Sequence, residues 1–401
     1  MERTILHCDC NGFFASVECI LNPALATVPM AVAGNPENRH GIILAKNELA
    51  KKYNVVTAET IWQAKRKCPD LVLVPPHHGE YEKYSRLINN IYEEFTDLVE
   101  PFGIDESWLD VTGVQHLFGD GRAIADKLRD TVRERLGLTI SVGVSFNKVF
   151  AKLGSDYKKP DATTVISREN FKDVVFPLPA TDLLFVGKAA AAVLDKLYIK
   201  TIGELAAADK ATIKSCLGKM GEMIWEYANG LDDSPVHSVD YRQDVKSISN
   251  NMTFRRNLIG PADIALGVNA LADEVAYRMR KSGLKCNVVG VIIKDPSLKS
   301  ISRQKTLQNP THLSKDIAQA AIELIQASWS MKAPIRMLSV AGTNLVDADS
   351  AVQQLSLFGE VDGPNRVKQE KLETAMDRIR DKYGKGAIGK AGTIKNDIGI
   401  P

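Results

Sequence analysis

Apolar residues recur along the chain at two spacings, and each spacing predicts one kind of element. Residues 81–99 carry apolar side chains at 84, 87, 88, 91, 95 and 98, a period typical of an amphipathic helix. Short apolar stretches predict strands at 3–9 and 138–145, and a strand or hairpin at 103–112. Further helices are predicted at 11–20, in the second half of 41–53 and at 121–137. Helices and strands alternate without a regular βαβ rhythm, which favours a mixed sheet covered by helices.

After residue 167 the pattern becomes helical and then mixed again. Two stretches, 181–209 and 213–231, show only helical spacing, and residues 231–236 then break the pattern, which predicts the start of a linker. Beyond the break, strands and helices alternate and predict an α+β module. The predicted strands are 288–295, 300–307 and 335–345, and the predicted helices are 262–282, 314–329 and, near the end of the chain, 366–383.

The composition limits the classes of protein to consider. A chain of 401 residues is too long for one ordinary core, so we expect two to four domains. No stretch reaches the roughly 20 apolar residues that cross a bilayer, and the N-terminus has no basic flank before an apolar signal core. The six cysteines form no CxxC pair, which favours reduced thiols. Together these features predict a cytoplasmic globular protein without a membrane partner.

The formal net charge of +2 hides an uneven distribution. Residues 240–345 carry 15 Lys and Arg against 8 Asp and Glu, whereas the rest of the chain carries 36 against 41. A basic module on a mildly acidic protein predicts a polyanionic partner. Chance unevenness between domains is the alternative explanation.

Carboxylates stand at the ends of two predicted strands. Asp9 ends the first strand, and Asp105 and Glu106 stand side by side near the start of 103–112. Neighbouring residues on a regular strand point to opposite faces, so both acids reach one pocket only at a turn or bulge. Three carboxylates without histidine co-ligands suit a hard divalent cation such as Mg²⁺, and two such ions can assist a phosphoryl displacement. The alternative is that Asp105 and Glu106 are solvent-facing residues of a hairpin.

Three segments resemble the motifs of the Y-family translesion DNA polymerases, in the same order along the chain. They are HCDCNGFFASVE (7–18), GIDESWLDVTG (103–113) and SVGVSFNKVFAKLGSDYKKPD (141–161). The resemblance is to bacterial members of the DNA polymerase IV type and of the DNA polymerase V catalytic-subunit type, and it covers nearly the whole chain. It implies an α+β multidomain right-hand polymerase with a mixed-sheet palm, small fingers, an all-helical thumb with a helix-hairpin-helix, and an α+β little finger.

The resemblance also implies where these domains begin and end. The palm would comprise 1–18 and 77–166, the fingers 19–76 and the thumb 167–233. A linker at 234–241 would lead to the little finger at 242–345. Residues 346–401 would hold a clamp-binding peptide and a C-terminal helix or tail.

Carried over residue by residue, the resemblance implies an active site in the palm. Asp9, Asp105 and Glu106 would bind two Mg²⁺ ions, with the backbone carbonyl of Cys10 assisting. Phe14 would be the steric gate that excludes a ribose 2′-hydroxyl. The other nucleotide contacts would be Phe13 beneath the sugar and Lys51 and Lys159 at the triphosphate. For the two phenylalanines, ordinary core packing is the alternative.

One segment departs from the family pattern. Relatives have N-Y-x-A-R, whose Tyr and Arg contact the phosphates, whereas residues 47–51 read N-E-L-A-K. Lys51 supplies a charge but not a bidentate fork, and Glu48 would repel a triphosphate unless it turns away. Lys152 is interpreted as a structural or solvated residue. The departure keeps a second hypothesis open, a catalytically weakened DNA-binding or regulatory paralogue.

Two regions are expected to contact the DNA backbone. In the thumb, the expected contacts are Gly187 and Lys188 of a helix-hairpin-helix turn, in which Phe185 replaces the expected first glycine. A plain helical turn is the alternative there. In the little finger the expected phosphate contacts, each weighed against a solvated surface charge, are Lys246, Arg255, Arg256 and Arg303.

A short peptide near the C-terminus predicts a protein partner. QLSLF, residues 354–358, resembles the peptide that binds the bacterial sliding clamp. Its contacts would come from Gln354, Leu355, Leu357 and Phe358. The helix at 366–383 would then pack on the little finger or bind an accessory protein.

These inferences predict a template-directed DNA polymerase that adds dNTPs to a primer 3′-hydroxyl on template DNA with low fidelity. A nucleotidyl cyclase or another palm-type transferase would share the carboxylates, but not the basic module, the hairpin motif and the clamp peptide. No second acidic cluster resembles a proofreading exonuclease, so none is expected. We expect a cytoplasmic enzyme that associates with the nucleoid when the clamp recruits it.

Overall fold

The computed structural model describes residues 2–34, 41–241, 243–349, 363–389 and 396–400. The chain forms two compact units, Met1–Arg242 and Gln243–Pro401. The peptide at 354–358 lies outside the described residues. In the described part of the chain, no helix combines the length and the apolar character that a membrane span requires.

The strands of the N-terminal unit form two sheets. The described strands are β1 (Ile5–Cys10), β2 (Met30–Ala33), β3 (Ile43–Lys46), β4 (Val72–Val74), β5 (Val99–Pro101), β6 (Glu106–Asp110), β7 (Ile140–Ser145) and β8 (Thr163–Ile166). The larger sheet has the order β5-β6-β1-β7-β8, and the smaller sheet has the order β3-β2-β4. β1 is antiparallel to β6 and β7, whereas β7 and β8 are parallel. The predicted mixed sheet is therefore confirmed.

Helices cover both faces of the larger sheet. They and the other described helices of this unit are α1 (Phe13–Leu21), α2 (Glu48–Lys51), α3 (Ile61–Lys67), α4 (His78–Glu93), α5 (Gln115–Phe118), α6 (Gly121–Leu136), α7 (Lys148–Tyr157), α8 (Phe171–Val175), α9 (Lys188–Lys196), α10 (Ile202–Ala207) and α11 (Lys210–Ala228). Apolar side chains of α1, α4 and α6 pack with Leu6 and Val142 on one face. Because side chains alternate along a strand, Gly143 belongs to the opposite face, where α7 packs.

α7 lies very close to the sheet because two glycines face each other. A Cβ atom at Gly143 would be 1.9 Å from the carbonyl oxygen of Ala151, and one at Gly154 would be 3.0 Å from the Cα of Gly143. Asn147 caps the helix, since its side chain accepts a hydrogen bond from the amide of Phe150 at 2.8 Å. The close contact with β7 and the cap at Asn147 together hold the inner face of α7 against β1.

No strand of the smaller sheet was predicted, and for residues 41–53 only the helix in their second half was expected. β2 has four residues and β4 has three, which is too short to show a period. The predicted helix at 81–99 ends at Glu93, because the chain then turns into β5. The stretch from residue 167 to the end of α11 is helical, as predicted, with its own apolar core. All six cysteines are free thiols.

The C-terminal unit is an antiparallel sheet packed against helices. Its described elements are β9 (Ser247–Leu258), α12 (Gly260–Lys281), β10 (Leu284–Lys294), β11 (Ser300–Thr311), α13 (Ser314–Ser328), β12 (Ile335–Asp347) and α14 (Gly363–Tyr383). The sheet order is β11-β10-β12-β9, and α12 and α13 pack against the sheet around one apolar core. The predicted α+β module is therefore confirmed, with longer strands than the sequence pattern indicated.

The C-terminal helix α14 packs on its own unit through acidic side chains. Glu373 accepts hydrogen bonds from the backbone amide and the hydroxyl of Ser314, at the start of α13. Glu373 also pairs with Arg280 of α12, whose guanidinium reaches Asp377 at 2.6 Å. Beyond the helix, Ile398 is fully buried in the core of this unit. Ion pairs, rather than an apolar stripe, thus hold α14 in place.

Candidate active site

Strand pairing brings the three predicted carboxylates to one end of the larger sheet. Asp9 on β1 stands opposite Glu106 on β6 in the register of the two strands. Asp105 lies just before β6, and its carbonyl oxygen accepts a hydrogen bond from the amide of Cys10 at 3.0 Å. Asp105 therefore precedes the strand at a turn, and its carboxyl lies near enough to Asp9 and Glu106 for their charges to raise its pKa.

Two lysines contact the carboxylates. The Lys152 ammonium lies 2.9 Å from Asp9 Oδ2 and 2.8 Å from Glu106 Oε2. The Lys159 ammonium lies 2.8 Å from Asp9 Oδ2, and Asp156 pairs with both lysines. The structure contradicts the solvated interpretation of Lys152, because its side chain is only 18% exposed and its ammonium pairs with two carboxylates, whereas a structural role stays a prediction. The spacing of Lys152 and Asp156, one helical turn apart, is the signal that could have indicated these ion pairs.

A histidine also belongs to this site, contrary to the expectation of carboxylates alone. His7 is fully buried, with Nε2 3.3 Å from Glu106 Oε2 and Nδ1 2.9 Å from the hydroxyl of Ser155. Burial lowers the pKa of His7, which keeps the ring neutral. Ligand atoms of His7, Asp9 and Glu106 all lie within 4.8 Å of one another. His7 stands two residues before Asp9 on the same face of β1, so strand alternation alone could have identified it.

The electrostatics of the site favour a bound cation. Burial, together with the charges of Asp9 and Glu106, raises the pKa of Asp105 to about 6. Burial would also raise the pKa of Glu106, but hydrogen bonds from His7 and Lys152 lower it to about 2. Among the described residues no cation forms an ion pair with Asp105. Carboxylate oxygens of Asp9 and Glu106 within 4.8 Å of each other, beside an Asp105 carboxylate that has no cation partner in the described part of the chain, fit a hard divalent ion, although Asp105 itself lies outside that closely spaced group.

A cavity of about 460 Å³ opens beside the carboxylates. Both phenylalanines line it; Phe13 is buried, and the Phe14 ring stacks on Tyr81 at 4.1 Å. The other residues at the wall include Asp9, Cys10, Leu44, Lys46, Glu48, Lys51, Thr57, Asp105 and Lys159.

The departure from the family pattern is visible in the same wall. Glu48 and Lys51 both line the cavity, and their charged groups lie 3.4 Å apart. Glu48 therefore does not turn away from the cavity, and it neutralises part of the charge of Lys51. Lys46 adds a third lysine to the wall, beside Lys51 and Lys159, and the sequence analysis did not identify it.

The predicted DNA contacts lie at exposed places in each unit. Gly187 precedes α9, which begins at Lys188, and Phe185 has a φ of 68°, a left-handed conformation that favours glycine. In the C-terminal unit, Arg256 pairs with Asp263 and Asp397. Of the other predicted contacts in this unit, Lys246, Arg255 and Arg303 are exposed to solvent and form no ion pair within the described residues.

Comparisons with known proteins agree with this geometry. Residues 8–156 match the impB/mucB/samB family, and residues 245–357 match the C-terminal domain of the impB/mucB/samB family. DNA polymerase IV of Acetivibrio thermocellus is 45% identical to the chain, with 100% of this chain and 99% of the relative covered. DNA polymerase IV of Moorella thermoacetica is 38% identical, with 97% and 96% covered. DNA polymerase IV 1 of Bacillus subtilis is 35% identical, with 99% and 94% covered.

The fold has a similar counterpart among solved structures. A Y-family DNA polymerase chimera of Dbh and Dpo4 superposes with a TM-score of 0.76 at 24% identity, covering 86% of this chain and 99% of the chimera. The chain belongs to the Y family of translesion DNA polymerases. The predictions of a right-hand polymerase fold and of a DNA-directed DNA polymerase, with template-primer DNA and dNTPs as substrates, are confirmed.

Proposed function

We propose that the protein copies template DNA with low fidelity by two-metal nucleotidyl transfer at the cavity beside Asp9, Asp105 and Glu106. The observation that carries this proposal is the convergence of three carboxylates at one end of the larger sheet, where Asp9 and Asp105 line a cavity that Phe14 also lines and Glu106 lies opposite Asp9. The three carboxylates and the carbonyl of Cys10 would hold two Mg²⁺ ions. When bound, these ions lower the pKa of the primer 3′-hydroxyl and balance the charge of the leaving pyrophosphate.

The cations of the site suggest how the triphosphate would bind. Lys159 lies in the cavity wall and forms an ion pair with Asp9, and its ammonium would exchange that partner for a phosphate oxygen. Lys51 would contribute a point charge, reduced by Glu48 beside it. Phe13 would pack beneath the sugar, and the ring of Phe14, fixed against Tyr81, would occupy the place of a ribose 2′-hydroxyl.

The domain assignment follows from the same proposal. The larger sheet with α4, α6 and α7 would be the palm (1–18 and 77–166), and the smaller sheet would be the fingers (19–76). The helices α8–α11 would form the thumb (167–233), followed by the linker (234–241). The C-terminal unit would supply the little finger (242–345) and, at 346–401, the clamp-binding segment and the tail helix.

Contacts with DNA and with protein partners belong to the proposal as well. Gly187 and Lys188 would bind one backbone phosphate. Lys246, Arg255 and Arg303 would bind others, whereas Arg256, neutralised by two aspartates, would contribute least. The 354–358 peptide would recruit the enzyme to the bacterial sliding clamp, and α14 remains a candidate surface for an accessory protein. The enzyme would act in the cytoplasm, at the nucleoid.

Primer extension on undamaged DNA with Mg²⁺ tests this function. We expect templated addition of dNTPs that stops when a chelator removes the metal. The second candidate, a weakened paralogue, is favoured by Glu48 at the cavity wall. It predicts tight primer-template binding with no extension, so this result would contradict the proposed function.

Replacing the proposed steric gate should change sugar selection. Phe14→Ala removes the ring from the cavity wall, so we expect discrimination against ribonucleotides to fall by about 10- to 200-fold. Single-nucleotide incorporation of dNTP and rNTP on the same primer measures the ratio. Leu44→Ala enlarges the same cavity elsewhere and should leave the ratio unchanged; unchanged discrimination in Phe14→Ala would place the gate at another residue.

Replacing the apolar pair of the clamp peptide should uncouple the enzyme from the clamp. Leu357→Ala with Phe358→Ala removes side chains that each could contribute about 1.5–3 kcal/mol on burial in a clamp pocket. We expect most clamp affinity and clamp stimulation to disappear, while extension without the clamp persists. Melting temperature and stimulation are read on one preparation. A stable double variant that the clamp still stimulates fully would exclude this peptide as the docking element.

A further inference from the structure

The short helix α3 carries an aromatic side chain that the fold leaves in solvent. Trp62 is 65% exposed. The other tryptophans, Trp108, Trp225 and Trp329, are buried or half-buried, and each donates its indole N–H to a backbone carbonyl. No described residue accepts a hydrogen bond from Trp62. The indole of Trp62 therefore has its N–H and one ring face available to a ligand.

Two unpaired cations accompany this indole on one face of the helix. The Arg66 guanidinium lies 4.8 Å from the centre of the Trp62 ring, a cation–π contact. Lys65 is exposed one turn from Trp62. Neither Lys65 nor Arg66 forms an ion pair within the described residues, whereas Lys67 pairs with Glu59 at 2.7 Å. The surface thus combines an aromatic face with two free positive charges.

The helix that carries this surface is fixed at both ends. Thr60 and Gln63 form a capping box at its start, with reciprocal hydrogen bonds of 3.0 and 3.2 Å. On the inner face, Ala64 is fully buried. At the other end, the Lys67 ammonium donates to the carbonyl of Asn54 at 2.8 Å. Trp62 and Arg66 are therefore presented by a rigid element, so little order has to be gained on binding.

The surface lies close to the nucleotide cavity in the same unit. Thr57, in the cavity wall, precedes Trp62 by five residues, which span at most about 18 Å. The intervening segment is tied to β3, since the amide of Ala58 donates to the carbonyl of Ile43 at 2.8 Å. β3 itself contributes Leu44 to the cavity wall.

We propose that Trp62, Lys65 and Arg66 form a stacking platform for an unpaired nucleotide of the template strand, ahead of the base that enters the cavity. The inference rests on the proposed function, because it assigns the single-stranded template to this side of the active site. Every base has a π-face that can stack on an indole, and Lys65 and Arg66 can bind the adjoining phosphates. A lesion base can stack in the same way, because stacking requires no particular hydrogen-bonding edge.

The test compares two template lengths on the full chain. Primer-templates with the same duplex carry either no unpaired template or a 5′ extension of about six nucleotides, since site sizes of this order are usual. The wild type should bind the extended template more tightly, and Trp62→Ala should reduce that gain by about 10-fold, the effect of losing one stacked base. Trp62→Tyr should retain most of it. The ratio of the two affinities is unaffected by a general loss of folded protein.

Controls separate stacking from general surface effects. Tyr383→Ala removes an aromatic side chain of matched exposure, 67%, from the C-terminal unit and should leave the gain unchanged. A 5′ extension made of abasic sugars offers no base for stacking. It should therefore increase the affinity of the wild type no more than it increases the affinity of Trp62→Ala. If Trp62→Ala keeps the full gain on the extended template, the platform does not exist and the surface is left to a protein partner.

Indole fluorescence provides a readout that needs no catalysis. Binding of the extended template should quench wild-type emission, and Trp62→Phe should abolish most of the quenching because the remaining tryptophans are less exposed. An equal quench in both proteins would overturn the proposal. Primer extension by the wild type is scored separately, so an inactive enzyme would refute the proposed function without deciding the question of the platform.

Discussion

Glu106→Gln and Asp105→Asn are each expected to abolish primer extension while primer-template binding stays near the wild-type value. Each change removes one negative charge from the site without altering the volume of the side chain. Charge stabilisation by a catalytic metal ion contributes several kcal/mol to the transition state, so we expect single-turnover rates to fall by about 10³-fold or more. DNA binding should persist because the proposed phosphate contacts lie elsewhere in the chain.

Asp110→Asn is the matched control for these variants. Asp110 lies on β6 as Glu106 does, but at the opposite end, where it faces Ile5 in the strand register. The control should extend primers within a few-fold of the wild type. Wild-type rates in either Glu106→Gln or Asp105→Asn would remove these carboxylates from the metal site.

Glu373→Ala should destabilise the C-terminal unit strongly. Arg280 and Glu373 are each only 8% exposed in their side chains, and removing one partner of a buried ion pair costs about 3–5 kcal/mol. The same change leaves the backbone amide of Ser314 without its acceptor. Calorimetry of the full chain should show a lowered melting transition for this unit, with the transition of the N-terminal unit unchanged.

Two further variants identify the cause of that loss. Lys385→Ala breaks an exposed pair with Glu274 and should cost at most about 1 kcal/mol. Arg280→Met combined with Glu373→Leu removes both charges and should recover much of the lost stability. A Glu373→Ala variant that melts like the wild type would mean that α14 is not fixed by this network.

The parts of the site that could be predicted from sequence are those in which short segments fix the geometry. Asp9 ends a strand and Gly12, with a φ of 55°, turns the chain directly into α1. Asp105 and Glu106 likewise belong to one hairpin, so their position followed from the local pattern. Three strands and the helices α12, α13 and α14 of the C-terminal unit could be predicted for the same reason, because each is long enough to show its period. β9 was not among the strands that the apolar pattern predicted, because its buried positions do not alternate regularly.

The residues that were missed depend on contacts between distant segments. Lys152 would be a solvated helical lysine if Gly143 and Gly154 did not bring α7 against the sheet. The approach of α7 to β1 also gives His7 its partner, Ser155. In α14 the helical period was visible, but the sequence does not indicate that its acidic residues face Arg280 and Ser314.

A crystal structure of the enzyme with primer-template, Mg²⁺ and a non-hydrolysable dNTP tests the central claim most directly. We expect two metal ions among Asp9, Asp105 and Glu106, the triphosphate against Lys159, and the sugar against Phe14. The ammonium groups of Lys152 and Lys159 should have left Asp9. Nucleotide or metal bound away from these three carboxylates would contradict the account.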